Sequence, residues 1–207
     1  MITQVNLQKM LEDRMKRKPK RWMVALVRWL LIEKWLNKYM YRIGDKQGVD
    51  FMQGVVDVLD IKVEVKGEEN LPKSGKPYMF VCNHPLGGAD VVSVASVVGK
   101  HYPEGLKIPA NDFLMLLTGI KDMLIPVNKV GGQSRSLSEK INAAYASDSQ
   151  LMFFPAGMVS RKKGGVIADL QWKKNFVAKS IEYKRDIVPI RIDAKNSRLF
   201  YFIANLR

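Results

Sequence analysis

From residue 51 onward, short apolar runs suited to strands alternate with helical patterns, and this alternation predicts an α/β fold: a mixed, largely parallel sheet flanked by helices. Two further observations frame that expectation. The 207 residues are 47% apolar and 26% charged, which fills one core of ordinary size and leaves a normal charged surface. The first 50 residues differ from the rest, with twelve Lys and Arg against five Asp and Glu and three of the four Trp. They are expected to form a basic amphipathic helical segment ahead of an α/β domain over residues 51–207.

In the N-terminal segment, the cluster Lys16-Arg17-Lys18-Pro19-Lys20-Arg21 directly precedes an apolar run. Pro19 marks a helix start, and a helix from Trp22 to Arg42 is expected to end near Gly44. Trp22, Trp29 and Trp35 suit a membrane–water boundary, and the basic residues suit anionic headgroups. The alternative is a helix that packs its Trp and Leu onto the core, and one helix can do both on two faces. The longest apolar stretch, Trp22 to Ile32, contains Arg28 and falls short of the roughly 20 apolar residues of a membrane span. No secretory signal pattern is visible.

The following elements are assigned in order. Val55–Leu59 ends a short helix, and Ile61–Val65 alternates with period two as a half-exposed strand. Residues 71–77, rich in Pro, Gly and Lys, form a turn. Tyr78–Cys82 is an apolar run fit for a buried strand, and Ala89–Val98 reads as a helix. Leu106–Pro109 is a strand, followed by a helix from Asn111 to Thr118 and an apolar segment, Met123–Val127. Ser136–Ala146 is a helix with a Ser-x-x-Glu start. Leu151–Phe154 is a buried strand, Trp172–Glu182 a helix, and Ile187–Ile192 a strand interrupted by Pro189. The last residues, from Leu199, look like a helix in progress, so the chain is expected to be a fragment.

Charge narrows the partners. Thirty-four Lys and Arg against twenty Asp and Glu give a net charge of +14, a field that attracts polyanions: anionic lipid, nucleic acid or an acidic protein. No nucleic-acid-binding motif accompanies that charge. One cysteine, Cys82, excludes an internal disulfide, and its place in an apolar strand points to a buried inert thiol. Two histidines and one cysteine argue against a metal site.

The stretch with chemical content is Asn83-His84-Pro85-Leu86-Gly87-Gly88-Ala89-Asp90. It follows a buried strand, where sites of open α/β sheets lie. A histidine there suits general-base work at neutral pH, and a carboxylate brought back by a Gly-Gly turn can fix its tautomer. This is the orienting half of a catalytic triad without the serine, which leaves the substrate's own hydroxyl as nucleophile. The plainer alternative is a loop histidine with Asp90 capping a helix. Farther on, Phe154-Pro155-Ala156-Gly157 runs from a strand into a turn beside Ser160-Arg161-Lys162-Lys163, a setting for an anion or oxyanion site.

These segments resemble, in order, the motifs of the glycerolipid acyltransferase superfamily, whose type members are lysophosphatidate acyltransferases. The first motif there is Asn-His-x4-Asp, whereas five residues separate His84 from Asp90 here. Asn-His-Pro-Leu-Gly-Gly-x-Asp and Phe-Pro-Ala-Gly are similar to a divergent bacterial branch, the ornithine-lipid and glycine-lipid O-acyltransferases. Ala156 stands where the superfamily has Glu, Lys129 where the second motif has Arg, and Val188-Pro189 matches the fourth. The resemblance implies a catalytic pair, His84 and Asp90, with Asn83, Gly87, Gly88, Lys129, Phe154, Pro155, Gly157, Ser160 and Arg161 around the substrate. Turn amides near Gly87 or Gly157 would meet the oxyanion. It further implies an acyl donor, acyl carrier protein or CoA, no bound cofactor and no metal. The acceptor would be an N-acyl amino acid or lyso-aminolipid, or else lysophosphatidate. The expected place is the cytoplasmic face of the inner membrane, held peripherally on its anionic surface. A catalytically silent membrane-binding protein is the competing expectation, raised by Ala156 and the altered spacing.

Overall fold

The computed structural model describes residues 12, 18–20, 33–110, 114, 117–127 and 135–205. Helix α1 (Glu33–Ile43) and helix α2 (Gly48–Val58) come first. Strand β1 (Tyr78–Cys82) and helix α3 (Gly88–His101) follow, then β2 (Leu106–Ala110), a 3-10 turn over Thr118–Met123 and β3 (Leu124–Pro126). Helix α4 (Arg135–Ala146) leads to β4 (Gln150–Phe153) and a hairpin of β5 (Arg161–Lys163) and β6 (Val166–Ala168). The order closes with α5 (Asn175–Glu182), β7 (Asp186–Ile190) and α6 (Arg198–Ala204).

The five-stranded sheet has the order β3-β2-β4-β1-β7, and every pairing in it is parallel. The expected α/β architecture is therefore present. β1 is paired on both edges, and all five of its residues are buried, as its unbroken apolar run requires. Its side chains alternate between two cores. Phe80 and Cys82 face α1, α2 and α3, together with Met40, Ile43, Phe51, Met52 and Ala95. Met79 and Val81 face α4 and α5, with Ile141, Tyr145 and Phe176. α1 precedes residue 50, α2 spans it, and both supply the first core. Proline falls where the ladder permits it. Pro189 sits on the edge strand β7, and Pro109 lies past the last β2–β4 pairing, Lys107↔Leu151.

One buried cation ties the strand starts together. Arg185, 2% exposed, donates from Nε to the Tyr145 carbonyl at 2.8 Å and from Nη1 to those of Ser149 at 2.8 Å and Tyr78 at 3.4 Å. Nη2 donates to Ala144 at 3.3 Å and to Ser147. It thereby caps the C-terminus of α4, where a cation complements the helix dipole, and fixes the entry to β1, β4 and β7.

Several expectations need correction. Ile61–Val65 is not a strand; Val63 and Val65 are 40% and 42% exposed. Period-two alternation reports which face could be buried, and a strand also needs a free partner edge. The hairpin β5–β6 has no counterpart among the sequence expectations. Gly164 and Gly165, at φ 53° and 83°, form the two-residue left-handed turn that Gly-Gly permits. α5 begins at Asn175, three residues after Trp172, and β7 ends at Ile190. The proposed helix from Asn111 to Thr118 falls mostly outside the described residues, as do residues 21–32 with Trp22 and Trp29. Where the N-terminal helix is described it ends at Ile43, and Gly44 (φ 76°) donates its N–H to the Met40 carbonyl, as expected. Among the described residues no helix is long and apolar enough to cross a membrane.

Candidate active site

β1 and β4 are neighbours and end at the same edge of the sheet, with Val81 opposite Phe153. The residues that leave these two strands must therefore meet. The His84 ring lies on the Phe154 ring, centroids 4.5 Å apart and tilted by 39°. The turn after His84 closes on Gly87, the N-cap of α3. Asp90, the third residue of that helix, folds its carboxylate back over the turn. Oδ2 accepts the N–H groups of Leu86 at 2.8 Å and Gly87 at 2.9 Å, and stands 3.0 Å from His84 Nδ1. The side chain of Asp90 is fully buried, and that of His84 is 14% exposed. Two backbone donors and the positive end of α3 offset the buried negative charge.

The histidine and the carboxylate are thus brought together as the Gly-Gly turn predicted. The separation is that of a hydrogen bond, but Nδ1 has no aligned acceptor, and Asp90 Oδ1 is buried without a protein partner. Misalignment of this kind is common in catalytic pairs before substrate binds. With Nδ1 turned to Asp90, Nε2 is the nitrogen left for proton transfer. The N-cap is Gly87 and not Asp90; from the third helical position Asp90 caps the helix start by accepting the Gly87 N–H, and the same oxygen faces the histidine.

Gly87 is required twice. Its φ of 84° suits only glycine, and a Cβ there would come within 2.9 Å of Val159 Cγ2. That contact joins the turn of the first motif to the segment of the third. The Gly87 N–H is committed to Asp90, and the Gly157 N–H donates to the Phe154 carbonyl at 2.9 Å, so each of these amides already has an acceptor. Gly88 is exposed at the first turn of α3, and Gly157 is exposed in the turn after β4. Pro155 and Ala156 are buried, so position 156 presents no polar group.

Asn83 faces the neighbouring strand end. Its Nδ2 donates to the Ile192 carbonyl at 2.8 Å, and its Oδ1 accepts the Ile192 N–H at 2.6 Å. Asn196 Nδ2 donates to the Pro85 carbonyl at 2.7 Å. The chain after β7 therefore braces the histidine turn. Ser160 is buried, with its hydroxyl 2.5 Å from Asp169 Oδ1, and Arg161 Nη1 donates to the Val159 carbonyl at 2.6 Å. Lys129 lies outside the described residues. Burial raises the Cys82 thiol above its ordinary value, with a smaller contribution from Asp90, which suits an inert core residue.

A cavity of about 560 Å³ opens beside the histidine turn, with Asn83, Ser160, Asp169, Trp172, Arg191 and Lys195 among its lining. Of these, Asp169, Trp172, Arg191 and Lys195 escaped the sequence reading. Asp169 and Trp172 come from a segment with no motif spacing, and Arg191 carried one weak signal, its place two residues after Pro189. A second cavity of about 370 Å³ on the α4–α5 side, with Tyr145, Phe153 and Lys179 in its wall, contains none of the predicted site residues.

Comparison with known proteins gives the family. The family model described as acyltransferase matches residues 14–207. The lyso-glycine lipid O-acyltransferase of Phocaeicola vulgatus is 43% identical over 205 residues, covering 98% of this chain and 73% of the relative. The protein of the same name from Bacteroides thetaiotaomicron is 44% identical over 186 residues, covering 90% of this chain and 68% of the relative. No solved structure matches the chain. With a strand-end His84–Asp90 pair, a Phe-Pro-Ala-Gly turn against it and a match over nearly its whole length, the chain belongs to the acyltransferase family, in a branch that resembles the glycine-lipid O-acyltransferases.

Proposed function

We propose that the protein moves a fatty acyl group from the thioester of acyl carrier protein or CoA to the hydroxyl of an N-acyl amino acid, making an O-acylated aminolipid. The observation that carries the reaction type is the 3.0 Å approach of His84 Nδ1 to a buried Asp90 carboxylate at the end of a parallel strand. His84 Nε2 takes the acceptor's hydroxyl proton as its oxygen attacks the thioester carbonyl. The tetrahedral intermediate then collapses, the C–S bond breaks, and the imidazolium returns the proton to the leaving thiolate. Asp90 stabilises the imidazolium between those steps.

The acceptor class rests on the names of the two relatives and on chemistry beside the turn. Position 156 offers no polar side chain, while Arg161, Arg191 and Lys195 lie near or in the cavity wall. A guanidinium pairs with a carboxylate as well as with a phosphate, so an amino-acid carboxylate fits this setting. The net charge of +14 supports a working place on an anionic membrane at the cytoplasmic face, and attraction of an acidic carrier protein.

A competition assay tests the reading: one acyl-carrier-protein donor, with a hydroxy-fatty-acyl glycine and lysophosphatidate as rival acceptors, and lipid products followed by mass spectrometry. The aminolipid product is expected to dominate. Turnover of lysophosphatidate with none of the aminolipid would overturn the acceptor, and no acyl transfer to either, at any donor, would overturn the reaction.

A further inference from the structure

We infer that Asp169 is a positioning residue for His84, acting on the histidine's backbone. This rests on the role given to His84 above. The carboxylate of Asp169 is a junction for three donors. The His84 N–H lies 3.1 Å from Oδ1 and 3.2 Å from Oδ2, shared between them. The Ser160 hydroxyl reaches Oδ1 at 2.5 Å, and Trp172 Nε1 reaches Oδ2 at 2.9 Å. The other backbone group of His84 is held from the same segment, since its carbonyl accepts the Ser160 N–H at 2.9 Å. Both peptide groups of the histidine are therefore gripped by residues 160–169, while its ring is held between Asp90 and Phe154.

The donor set shows why a carboxylate stands at 169. Its two oxygens receive N–H and O–H groups only, so each needs an acceptor, and a carboxylate is an acceptor at both ends. Donation to an ionised acceptor is about twice as strong as a neutral bond. Asparagine at this position keeps size and shape but sets one NH2 against a donor. If its oxygen stays with Ser160 and His84, the amide nitrogen opposes the Trp172 N–H; if reversed, the Ser160 hydroxyl must turn from donor to acceptor, and the His84 N–H faces an NH2 in the place of Oδ1 and keeps only the oxygen on the other side. Either way the charge is lost and the grip on the His84 N–H or on Trp172 weakens. His84 lies two residues past β1 and has no regular element of its own, because the strand ends at Cys82 and α3 begins at Gly88. The hydrogen bonds to its N–H and carbonyl therefore fix where the Cα of His84 sits. Ring placement errors of about 1 Å lower rates by about 100-fold in proton-transfer geometries.

The test uses the full chain and the variants Asp169→Asn and Trp172→Phe. For Asp169→Asn, kcat is expected to fall about tenfold or more while the KM values of donor and acceptor stay within about threefold, the signature of lost alignment, not lost binding. Trp172→Phe removes one donor and keeps an aromatic ring, so a smaller fall of about two- to fivefold in kcat is expected. The chain has two histidines, His84 and His101, so their ring nitrogens are easily told apart by NMR. In Asp169→Asn the ring signals of His84 are expected to move and its backbone amide to exchange faster, with His101 unchanged. This second measurement needs no substrate, so it separates failure of the clamp from failure of the proposed reaction. An Asp169→Asn protein with kcat within threefold of wild type, or with unmoved His84 signals, would overturn the inference. So would a rise in KM at unchanged kcat, which would make Asp169 a binding residue instead. Should Asp169→Asn not fold, a Trp172→Phe protein with wild-type kcat and an unaltered His84 amide would overturn it equally.

Discussion

Replacing Asp90 by Asn separates the two jobs that one oxygen performs. Oδ2 holds the Leu86 and Gly87 amides at 2.8 and 2.9 Å and faces His84 Nδ1 at 3.0 Å. An asparagine keeps a carbonyl oxygen for the two amides, so the turn and the start of α3 survive. Its NH2 must then occupy the place of Oδ1, which is buried and has no partner. That unmet donor costs about 1–2 kcal/mol, and the missing charge at the helix start costs about 0.3–1 kcal/mol more. Unfolding should therefore come about 3–10 °C earlier, leaving a folded protein at 25 °C. Catalysis loses more. Charges about 4 Å apart attract by about 4 kcal/mol at an effective dielectric near 20. A neutral amide gives up most of the attraction for an imidazolium, so kcat is expected to fall about 100- to 1000-fold with little change in KM. Steady-state rates of thiol release from the acyl donor, together with calorimetric unfolding, measure both quantities. A folded Asp90→Asn enzyme with kcat within about threefold of wild type would refute the idea that the carboxylate charge supports the histidine.

Three further outcomes follow from the same structure. Arg185→Met is expected to lower stability by about 3 kcal/mol, or about 6–12 °C in Tm, because the buried and half-buried carbonyls of Tyr145, Tyr78 and Ser149 lose the guanidinium donor; thermal unfolding with an unchanged midpoint would exclude this role of Arg185. Gly87→Ala is expected to cost about 2–4 kcal/mol and most of the activity, and a second change, Val159→Ala, should relieve the clash but not the φ of 84°; complete rescue by the double variant would show that backbone conformation is unimportant there. Burial holds the Cys82 thiol protonated well above neutral pH, so iodoacetamide at pH 8 should leave the native protein unlabelled and modify it rapidly in denaturant. Native-state labelling as fast as in denaturant would contradict the packing of β1.

Much of this molecule could be read from residue order because its strongest signals are local. Tyr78–Cys82 is apolar without a break, and a strand buried on both faces needs just that. His84, Gly87, Gly88 and Asp90 lie within seven residues, so a turn of limited length was bound to return the carboxylate toward the histidine. The Phe154 turn was also legible, as a strand end followed by glycine. What the order of residues left open depends on partners distant in the chain. Ile61–Val65 alternates like a strand, but whether an edge awaits it is a property of the assembled sheet. Arg185 looks like one more basic residue among thirty-four, until the fold gathers carbonyls from α4, β1 and the approach to β4 around it. Asp169 reaches His84 across 85 positions of sequence. Neighbouring residues constrain each other through bond geometry, which sequence spacing encodes, whereas Asp169 and Arg185 acquire their partners only when parallel pairing sets β1 between β4 and β7 and brings remote loops to one edge.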